Sequence, residues 1–315
     1  MMLATVPCAV CNGTRFSPVY AATIDAHGGE PSPYFGSSRA RAGHLPIVRC
    51  SRCGLVMTNP QDDHGTLARV YRAHEDNVYE LEHDNRRHAA LDHLALVTAY
   101  QPNPARILDV GCATGIFVGA AQEAGWQATG VDASEWMVSR GRIRCPTAAF
   151  RVGTLEETQF LPDSFEVITL WDVLEHVSSP RQTLDRVRSW LAPGGYVFLS
   201  VPNADSVMAR LMRRRWVLLL REHLWYFSPA TLATLLRQAG FDSVRTRPKV
   251  VHFSLANVLA RLAQYPGPWR GATSRLSRAP ALKRVKLRFP MGEMDVVASV
   301  RPGGQQADPE VARSR

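Results

Sequence analysis

Two pairs of cysteines stand near the start of the chain, at a spacing that metal sites use. Two residues separate Cys8 from Cys11, and two separate Cys50 from Cys53. Paired C-x-x-C spacing predicts a four-cysteine zinc site, and the glycine after Cys53 suits a zinc-knuckle turn. Because four sulfur ligands leave no open coordination position, the zinc would be structural.

Other readings of the cysteines stay open. A redox-active pair is one alternative, although two pairs in a loop-rich segment favour zinc. His27 or His44 could replace a cysteine as a ligand. The chain has six cysteines, which is few for a disulfide scaffold of this length. We therefore predict a zinc-binding ribbon over residues 1–60.

A second group of chemically informative residues follows a short apolar run. Asp109 is followed by Gly111, Ala113 and Gly115 at alternating positions, and a helical pattern begins directly afterwards. Glycines at such a strand-to-helix turn let the backbone approach a ligand closely. The first turn of the helix would then face that ligand.

Two acidic residues define which ligand this turn would bind. A carboxylate at Asp109 would repel a pyrophosphate but would attract an ammonium group. Asp132 ends the next strand, where a carboxylate can accept hydrogen bonds from ribose hydroxyls. A nucleoside with a positive charge and no phosphates describes S-adenosylmethionine.

The elements that must position these residues alternate between strands and helices from Ala105 onward. Strands are predicted at 106–110, 127–131, 148–152, 165–171 and 196–201, with two late strands at 243–253 and 295–300. Helices are predicted at 116–124, 134–142, 180–191 and 228–239, and residues 61–101 have a helical pattern. This alternation predicts an α/β fold with a doubly wound, mostly parallel sheet.

The motifs in this region resemble a known family. Ile107–Gly115 resembles the first signature of Rossmann-like (class I) S-adenosylmethionine-dependent methyltransferases, and Gly130–Ser134 resembles the second. Phe165–His176 is similar to their fourth strand and its exit loop, and Leu191–Gly195 to the next turn. The resemblance covers roughly residues 70–300, with the motifs in order.

This resemblance implies a fold, a cofactor and a set of cofactor contacts. The fold would have seven strands with the last one antiparallel, and the cofactor would be S-adenosylmethionine. The residues assigned to it are Asp109, Gly111, Ala113, Gly115, Asp132, Ala133, Thr154, Leu155, Trp171 and Asp172. Ala113 replaces the family's usual middle glycine, and Thr154 and Leu155 stand where an acidic residue often follows the third strand.

Candidate catalytic residues lie in two later segments. His176 is the first candidate general base, because the pKa of a free histidine is about 6.5. Glu175 could orient it. His223 is the second candidate, on a segment expected to cover the pocket. The alternative is that Glu175 and His176 only brace the fold. The exit loop lacks the Asn/Asp-Pro-Pro-aromatic sequence that would indicate methylation of a nucleobase amine.

The net charge of +9 is concentrated in one segment. Residues 254–290 carry basic but no acidic side chains, and we predict them to be an insertion within a methyltransferase domain at 61–301. A basic block favours an anionic or lipid-linked small molecule, with a peripheral membrane contact or RNA as alternatives. Arg213–Arg215 could add a second basic patch. Residues 302–315 are expected to be a disordered tail.

The sequence therefore predicts an enzyme of the small-molecule branch of this family. The expected reaction is methyl transfer to an oxygen of a sugar, glycolipid precursor or secondary metabolite. An RNA methyltransferase and a non-catalytic S-adenosylmethionine-binding protein are the alternatives. The chain has neither an apolar run of the length that a membrane helix needs nor a basic signal-peptide start. We expect a cytoplasmic protein that could rest on the inner face of the membrane.

Overall fold

The computed structural model describes residues 3–24, 43–256, 259, 263, 267–279, 281–282 and 285–301. The strands are β1 (Leu3–Ala4), β2 (Phe16–Tyr20), β3 (Ile47–Cys50), β4 (Val56–Thr58), β5 (Gln61–Asp62), β6 (Arg106–Val110), β7 (Gln127–Asp132), β8 (Ala149–Val152), β9 (Phe165–Trp171), β10 (Leu191–Pro202), β11 (Trp225–Tyr226), β12 (Asp242–Ser254) and β13 (Lys286–Ser299). The α-helices are α1 (His64–Arg72), α2 (Asn77–Leu81), α3 (His83–Tyr100), α4 (Ile116–Glu123), α5 (Glu135–Arg144), α6 (Pro180–Trp190), α7 (Val207–Met212), α8 (Pro229–Gln238) and α9 (Arg270–Leu276). A 3₁₀ turn follows α7 at Arg213–Arg215.

Within the described residues, the central sheet has seven strands in the order β12-β13-β10-β9-β6-β7-β8. The pairs β10–β9, β9–β6, β6–β7 and β7–β8 are parallel, and β13 runs antiparallel to both β10 and β12. The chain order reverses between β6 and β9, which is where doubly wound sheets bind ligands at the strand carboxyl ends. The predicted fold class is confirmed.

Both faces of this sheet are buried, as a doubly wound arrangement requires. Neighbouring residues of one strand pack into different clusters: Val167 lies with α3 and α4, whereas Ile168 lies with α6 and α8. Phe198 and Leu199 of β10 divide in the same way. Helices on both faces therefore fix the carboxyl ends of the strands rigidly.

The cysteine segment is joined to the rest of the chain by a second sheet. Among the described residues this sheet has four strands in the order β11-β4-β3-β2, so Trp225 pairs with Met57 although they are distant in sequence. Arg221, just before β11, donates from Nε and Nη2 to the two carboxylate oxygens of Asp62 at 2.9 and 2.8 Å. Both side chains are nearly fully buried.

The helical pattern predicted at 61–101 forms three helices, α1 to α3. Asp63 caps α1 by accepting from the Thr66 amide, and Asp76 accepts from the Tyr79 amide at the start of α2. The predicted apolar stripe Ala90, Leu94 and Val97 is buried on α3. Local side-chain caps therefore divide a segment whose hydrophobic pattern is continuous.

Parts of the predictions lie outside the described residues. These include His27, the tail at 302–315 and part of the basic segment at 254–290. The division at residue 60 stays a prediction. Among the described helices, none combines the length and apolar character needed to cross a bilayer.

Candidate active site

The turn between β6 and α4 forms a backbone cradle at the end of the central strand. Gly111, Ala113 and Gly115 all adopt positive φ angles, of 70°, 46° and 70°. A Cβ atom at Gly111 would lie 2.5 Å from Val173, and one at Gly115 would lie 2.7 Å from Phe150. The two glycines are therefore required by both conformation and space, and Ala113 adopts the middle left-handed position.

Asp132 holds this cradle in place from the end of the neighbouring strand. Its carboxylate accepts from the Ala113 amide and from the Ser134 amide, both at 2.9 Å. Burial raises the pKa of Asp132, and the two amides oppose that effect. A carboxylate oxygen can accept more than one hydrogen bond, so this donor set is compatible with additional ribose hydroxyls.

Asp109 is buried at the tip of β6. Its Oδ1 atom accepts from the Thr169 hydroxyl of the adjacent strand β9 at 2.6 Å. Burial raises the pKa of Asp109 to about 7, although the Thr169 hydrogen bond acts in the opposite direction. A nearby ammonium group would compensate a carboxylate that burial disfavours.

One cavity of about 1240 Å³ brings the two predicted groups of residues together. Its lining contains Asp109, Gly111, Ala113, Asp132, Ala133, Thr154, Leu155, Trp171, Asp172, Glu175, His176 and His223. Gly115 supports the cradle from behind, against Phe150 and Gly141. This volume exceeds what an ordinary ligand pocket needs, so it can hold a nucleoside cofactor and an acceptor together.

Trp171 and Asp172 stand at the end of β9, and both line the cavity. The Trp171 ring stacks on His93 of α3, with ring centroids 3.8 Å apart and planes inclined by 7°. Asp172 has a positive φ of 56° and accepts from the Lys249 ammonium through both carboxylate oxygens at 2.8 Å. Nζ of Lys249 also lies 3.8 Å from Oε1 of Glu293. The Lys249 ammonium thus orients the Asp172 loop.

Glu175, His176 and His223 form a second cluster in the lining of the same cavity. One potential ligand atom from each residue lies within 4.8 Å of those from the other two. The rings of His176 and His223 meet edge to face with centroids 4.8 Å apart. Nε2 of His176 is 3.9 Å from Oε1 of Glu175. The structure therefore places the three predicted catalytic residues together, although His223 is distant in sequence.

Backbone carbonyls orient both imidazoles. Nδ1 of His176 is 2.9 Å from the carbonyl oxygen of Glu222, and Nδ1 of His223 is 2.8 Å from that of Leu218. A carbonyl only accepts, so each Nδ1 carries the hydrogen and the lone pair lies on Nε2. The Tyr71 hydroxyl is also 2.9 Å from Nδ1 of His176.

Burial dominates the ionisation of this cluster. It lowers the pKa of His176 to about 4, while the Glu222 carbonyl and Asp172 act in the opposite direction. Burial also raises the pKa of Glu175, and the negative charge of Asp172 adds to that increase. Both effects favour neutral side chains.

The four predicted cysteine ligands converge on one point in the N-terminal segment. Their sulfur atoms lie within 4.8 Å of one another, with Cys8 3.4 Å from Cys53 and Cys11 3.5 Å from Cys50. Tetrahedral zinc–sulfur bonds of about 2.3 Å separate sulfurs by about 3.8 Å, so the four thiols fit zinc. Burial opposes ionisation of Cys50, but the Cys53 and Arg52 amides bring its pKa to about 7.

Each cysteine pair is followed by the same backbone feature. Asn12 and Gly54 come directly after Cys11 and Cys53, with φ angles of 55° and 79°. The Gly54 amide donates to the Cys50 carbonyl, and the Asn12 amide donates to that of Cys8. These matching turns bring both pairs to one point. His44, the alternative ligand, instead places Nδ1 2.8 Å from the Leu45 carbonyl.

Several residues at the site were not assigned roles in the sequence analysis. They are Asp62, Arg221, Glu222 and Lys249, which support this part of the molecule through long-range contacts. No local motif marks them. The sequence signal that exists is weak: an isolated Lys in a late strand and an Arg two residues before His223.

Comparison with known proteins agrees with this geometry. Residues 81–246 match the family described as "Methyltransferase domain". The chain therefore belongs to this methyltransferase family, and its Rossmann-like sheet is the fold of the S-adenosylmethionine-dependent members. The predicted class and cofactor are confirmed at this level.

Curated relatives are more specific in name. A ubiquinone biosynthesis O-methyltransferase of Paracidovorax citrulli is 29% identical over 155 residues, covering 45% of this chain and 65% of that protein. Its counterpart in Bordetella pertussis is 30% identical over 154 residues, covering 45% and 64%. The chain thus spans slightly less than two thirds of these relatives' length.

Solved structures share the fold at low sequence identity. A possible histamine N-methyltransferase from Thermotoga maritima has a TM-score of 0.50 and 20% identity, covering 71% of this chain and 96% of its own. A chain from a complex of the Haloferax volcanii Trm112 methyltransferase activator with a putative methyltransferase has a TM-score of 0.51 and 17% identity, covering 72% and 94%. Both comparisons establish the fold alone.

Proposed function

We propose that this protein transfers a methyl group from S-adenosylmethionine to an oxygen atom of a small molecule. One observation carries the proposal: the cavity is continuous from the Asp109 and Asp132 end to the Glu175, His176 and His223 end. S-adenosylmethionine would supply an electrophilic methyl group at the junction. The O-methyltransferase names of the relatives support oxygen as the acceptor atom.

The two acidic residues and the cradle would bind and orient the cofactor. Asp132 would accept from the ribose hydroxyls, and Asp109 would face the ammonium group. The backbone at Gly111 and Ala113 would border the same ligand, and Thr154 with Leu155 would lie along the base. Holding both reactants in a closed site supplies much of the rate of a displacement reaction.

The lining of the acceptor end indicates the kind of molecule that enters. Apolar side chains dominate it, and they include Met208, Met212, Trp216, Leu218, Phe289 and Met291. Arg214 and Arg215 line the same cavity and are exposed. We propose an acceptor with an apolar body and an anionic group, which a precursor of a lipid or a secondary metabolite can provide.

His176 and His223 are the proposed contacts to the acceptor oxygen. Their place in the cavity lining beside Glu175 supports this role, and His223 is buried there. Glu175 would orient the imidazoles of His176 and His223. The alternative of a purely structural Glu175–His176 pair predicts no effect of conservative substitutions on turnover.

We also propose a structural zinc ion at Cys8, Cys11, Cys50 and Cys53. The convergence of four thiols and the two matching turns support it. Zinc bound there would stabilise the second sheet without taking part in the reaction, since its coordination would be complete. Metal analysis of purified protein should give zinc in a one-to-one ratio with the chain.

The methyl-transfer proposal is tested with methyl-labelled S-adenosylmethionine and a metabolite extract from a strain that lacks this gene. Label should enter a small-molecule fraction, and treatment of the extract with RNase should not change the yield. Label lost on RNase treatment would instead support RNA as the acceptor. Cofactor binding without any labelled product would support a non-catalytic role.

A further inference from the structure

The Glu175, His176 and His223 cluster has the composition of a metal site as well as that of an acid–base group. Two imidazoles and one carboxylate are a common set of protein ligands for a catalytic transition-metal ion. Their ligand atoms lie within 4.8 Å of one another, so small side-chain rotations suffice to surround one ion. The set is separate from the four cysteines.

Burial and hydrogen bonding point to a missing ligand at this place. Glu175 is 1% exposed. Within the described part of the chain, its Oε2 atom is buried and has no hydrogen-bond partner. The nearby cation Lys249 is paired with Asp172 through both carboxylate oxygens. A buried carboxylate oxygen that lacks a partner is costly, and a bound cation would remove that cost.

The histidine tautomers are already those that metal binding needs. The Glu222 and Leu218 carbonyls hold the Nδ1 hydrogens of His176 and His223, which places both lone pairs on Nε2. Backbone carbonyls fix metal-binding histidines in this way in many proteins. Nε2 of His176 also lies toward Glu175, at 3.9 Å from Oε1.

We propose that Glu175, His176 and His223 bind one divalent transition-metal cation at the acceptor end of the cavity. Imidazole ligands suit zinc, copper, iron or nickel, and the carboxylate of Glu175 makes the set suitable for manganese as well. Three protein ligands leave coordination positions for an oxygen of the acceptor.

The catalytic role of this cation rests on the proposed function. The cation would bind the acceptor hydroxyl and make it more acidic, and the proton would pass to solvent water. The acceptor oxygen would then form its bond to the methyl carbon as the carbon–sulfur bond breaks, leaving S-adenosylhomocysteine and the methyl ether. In this arrangement the two histidines are ligands rather than bases.

Manganese alone is a suitable probe, because thiolate sites retain zinc in its presence. Mn²⁺ is titrated into the zinc-loaded, full-length protein, and free Mn²⁺ is followed by electron paramagnetic resonance. We expect one bound Mn²⁺ per chain. Glu175→Gln and His223→Asn should each weaken binding at least tenfold, and Asn can still donate to the Leu218 carbonyl in place of Nδ1. His64→Gln, an exposed histidine of the same cavity, should bind Mn²⁺ like the wild type.

The catalytic role has a separate readout. Methyl transfer should fall at least tenfold in a chelator that leaves the cysteine-bound zinc in place, and Mn²⁺ should restore it. Absence of Mn²⁺ binding by the wild type, or binding unchanged in both variants, would overturn the site. An unchanged rate of methyl transfer in the chelator would overturn the catalytic role of the cation. His176 would then again be the candidate general base. If no acceptor is methylated at all, the proposed function fails, while the titration still decides the site.

Discussion

At the scale of single residues, the burial of Asp109 predicts how the affinity for S-adenosylmethionine depends on pH. Its pKa is raised to about 7, so the carboxylate becomes protonated as the pH falls through neutrality. An ammonium group that binds beside the charged form loses that attraction at lower pH. The affinity for S-adenosylmethionine should therefore be about tenfold lower at pH 6 than at pH 8.

Asp109→Asn is the matched control for this pH dependence. Asn keeps an oxygen that can accept from the Thr169 hydroxyl but has no charge to lose. Its affinity should be low at both pH values, and the change between them should be much smaller than in the wild type. Isothermal titration calorimetry measures both proteins. Parallel pH profiles would show that Asp109 does not face the ammonium group.

Asp132 has two functions that substitution can separate. Asp132→Ala removes the proposed ribose contacts, together worth about 1.5–3 kcal/mol, so affinity should fall roughly ten- to hundredfold. It also removes the acceptor of the Ala113 and Ser134 amides, so the melting temperature should fall as well.

Ser134→Ala provides the comparison for Asp132. The Ser134 hydroxyl caps α5 by accepting from the Met137 amide, and its loss should cost about 1 kcal/mol of stability. Because this hydroxyl is not a proposed ribose contact, cofactor affinity should change less than threefold. Equal losses of affinity in both variants would mean that Asp132 acts only by supporting the turn.

The sequence was informative about residues that share a local motif. Asp109, Asp132 and the four cysteines each stand at a strand end or in a repeated spacing, and the structure brings each group together. Lys249 could not be identified in this way. Its partner Asp172 lies far along the chain, so only the folded arrangement of β12 shows what it contacts.

At the scale of elements, strand β11 connects the cysteine segment to the acceptor end of the cavity. The Thr58 hydroxyl of β4 donates to the His223 carbonyl at 2.8 Å, and the Leu224 carbonyl accepts from the Thr58 amide. The buried Asp62–Arg221 pair adds a second connection two residues before His223. The cysteine segment therefore positions His223 as well as folding around its own proposed metal.

This connection predicts that loss of zinc affects catalysis. Cys50→Ser should release β3 and β4, which shift β11 and His223, so turnover should fall at least tenfold. The affinity for S-adenosylmethionine should change much less, because Asp109 and Asp132 lie on β6 and β7. The two quantities are measured by labelled methyl transfer and by calorimetry.

Cys145→Ser is the control for that experiment, since Cys145 is also buried but lies outside the four-cysteine cluster. It should retain both zinc and turnover. A Cys50→Ser protein that has lost zinc but keeps full turnover would show that the second sheet holds His223 without help from the metal.

The elements themselves differ in how far local patterns predict them. The alternation of β6 to β10 with their helices is encoded in short apolar runs and caps. The observed bounds lie within about two residues of the predicted ones, except that β10 begins at Leu191 and so includes the predicted turn. The strands β1, β5 and β11 have only two residues each, and long-range pairing alone defines them. The second sheet was therefore not predictable from periodicity.

At the scale of the whole molecule, the positive charge bears on how an acceptor reaches the cavity. The chain carries a net charge of +9, and Arg214 and Arg215 are exposed on the cavity lining. Clefts that carry one sign of charge raise the local concentration of oppositely charged ligands. Contact of the basic segment 254–290 with an anionic substrate stays our prediction, with membrane attachment as the alternative, and sedimentation with anionic and neutral liposomes separates the two.

Charge at the cavity also gives a prediction for the acceptor's KM. If the acceptor is anionic, raising the salt concentration from about 0.05 M to about 0.5 M shortens the screening length and should raise this KM several-fold. The double substitution Arg214→Ala and Arg215→Ala should raise KM at low salt and remove most of the salt dependence, with kcat nearly unchanged. Arg237→Ala, on α8 and outside the cavity lining, should behave like the wild type. If the double variant keeps the wild-type salt dependence, the acceptor is neutral or its charge is bound elsewhere.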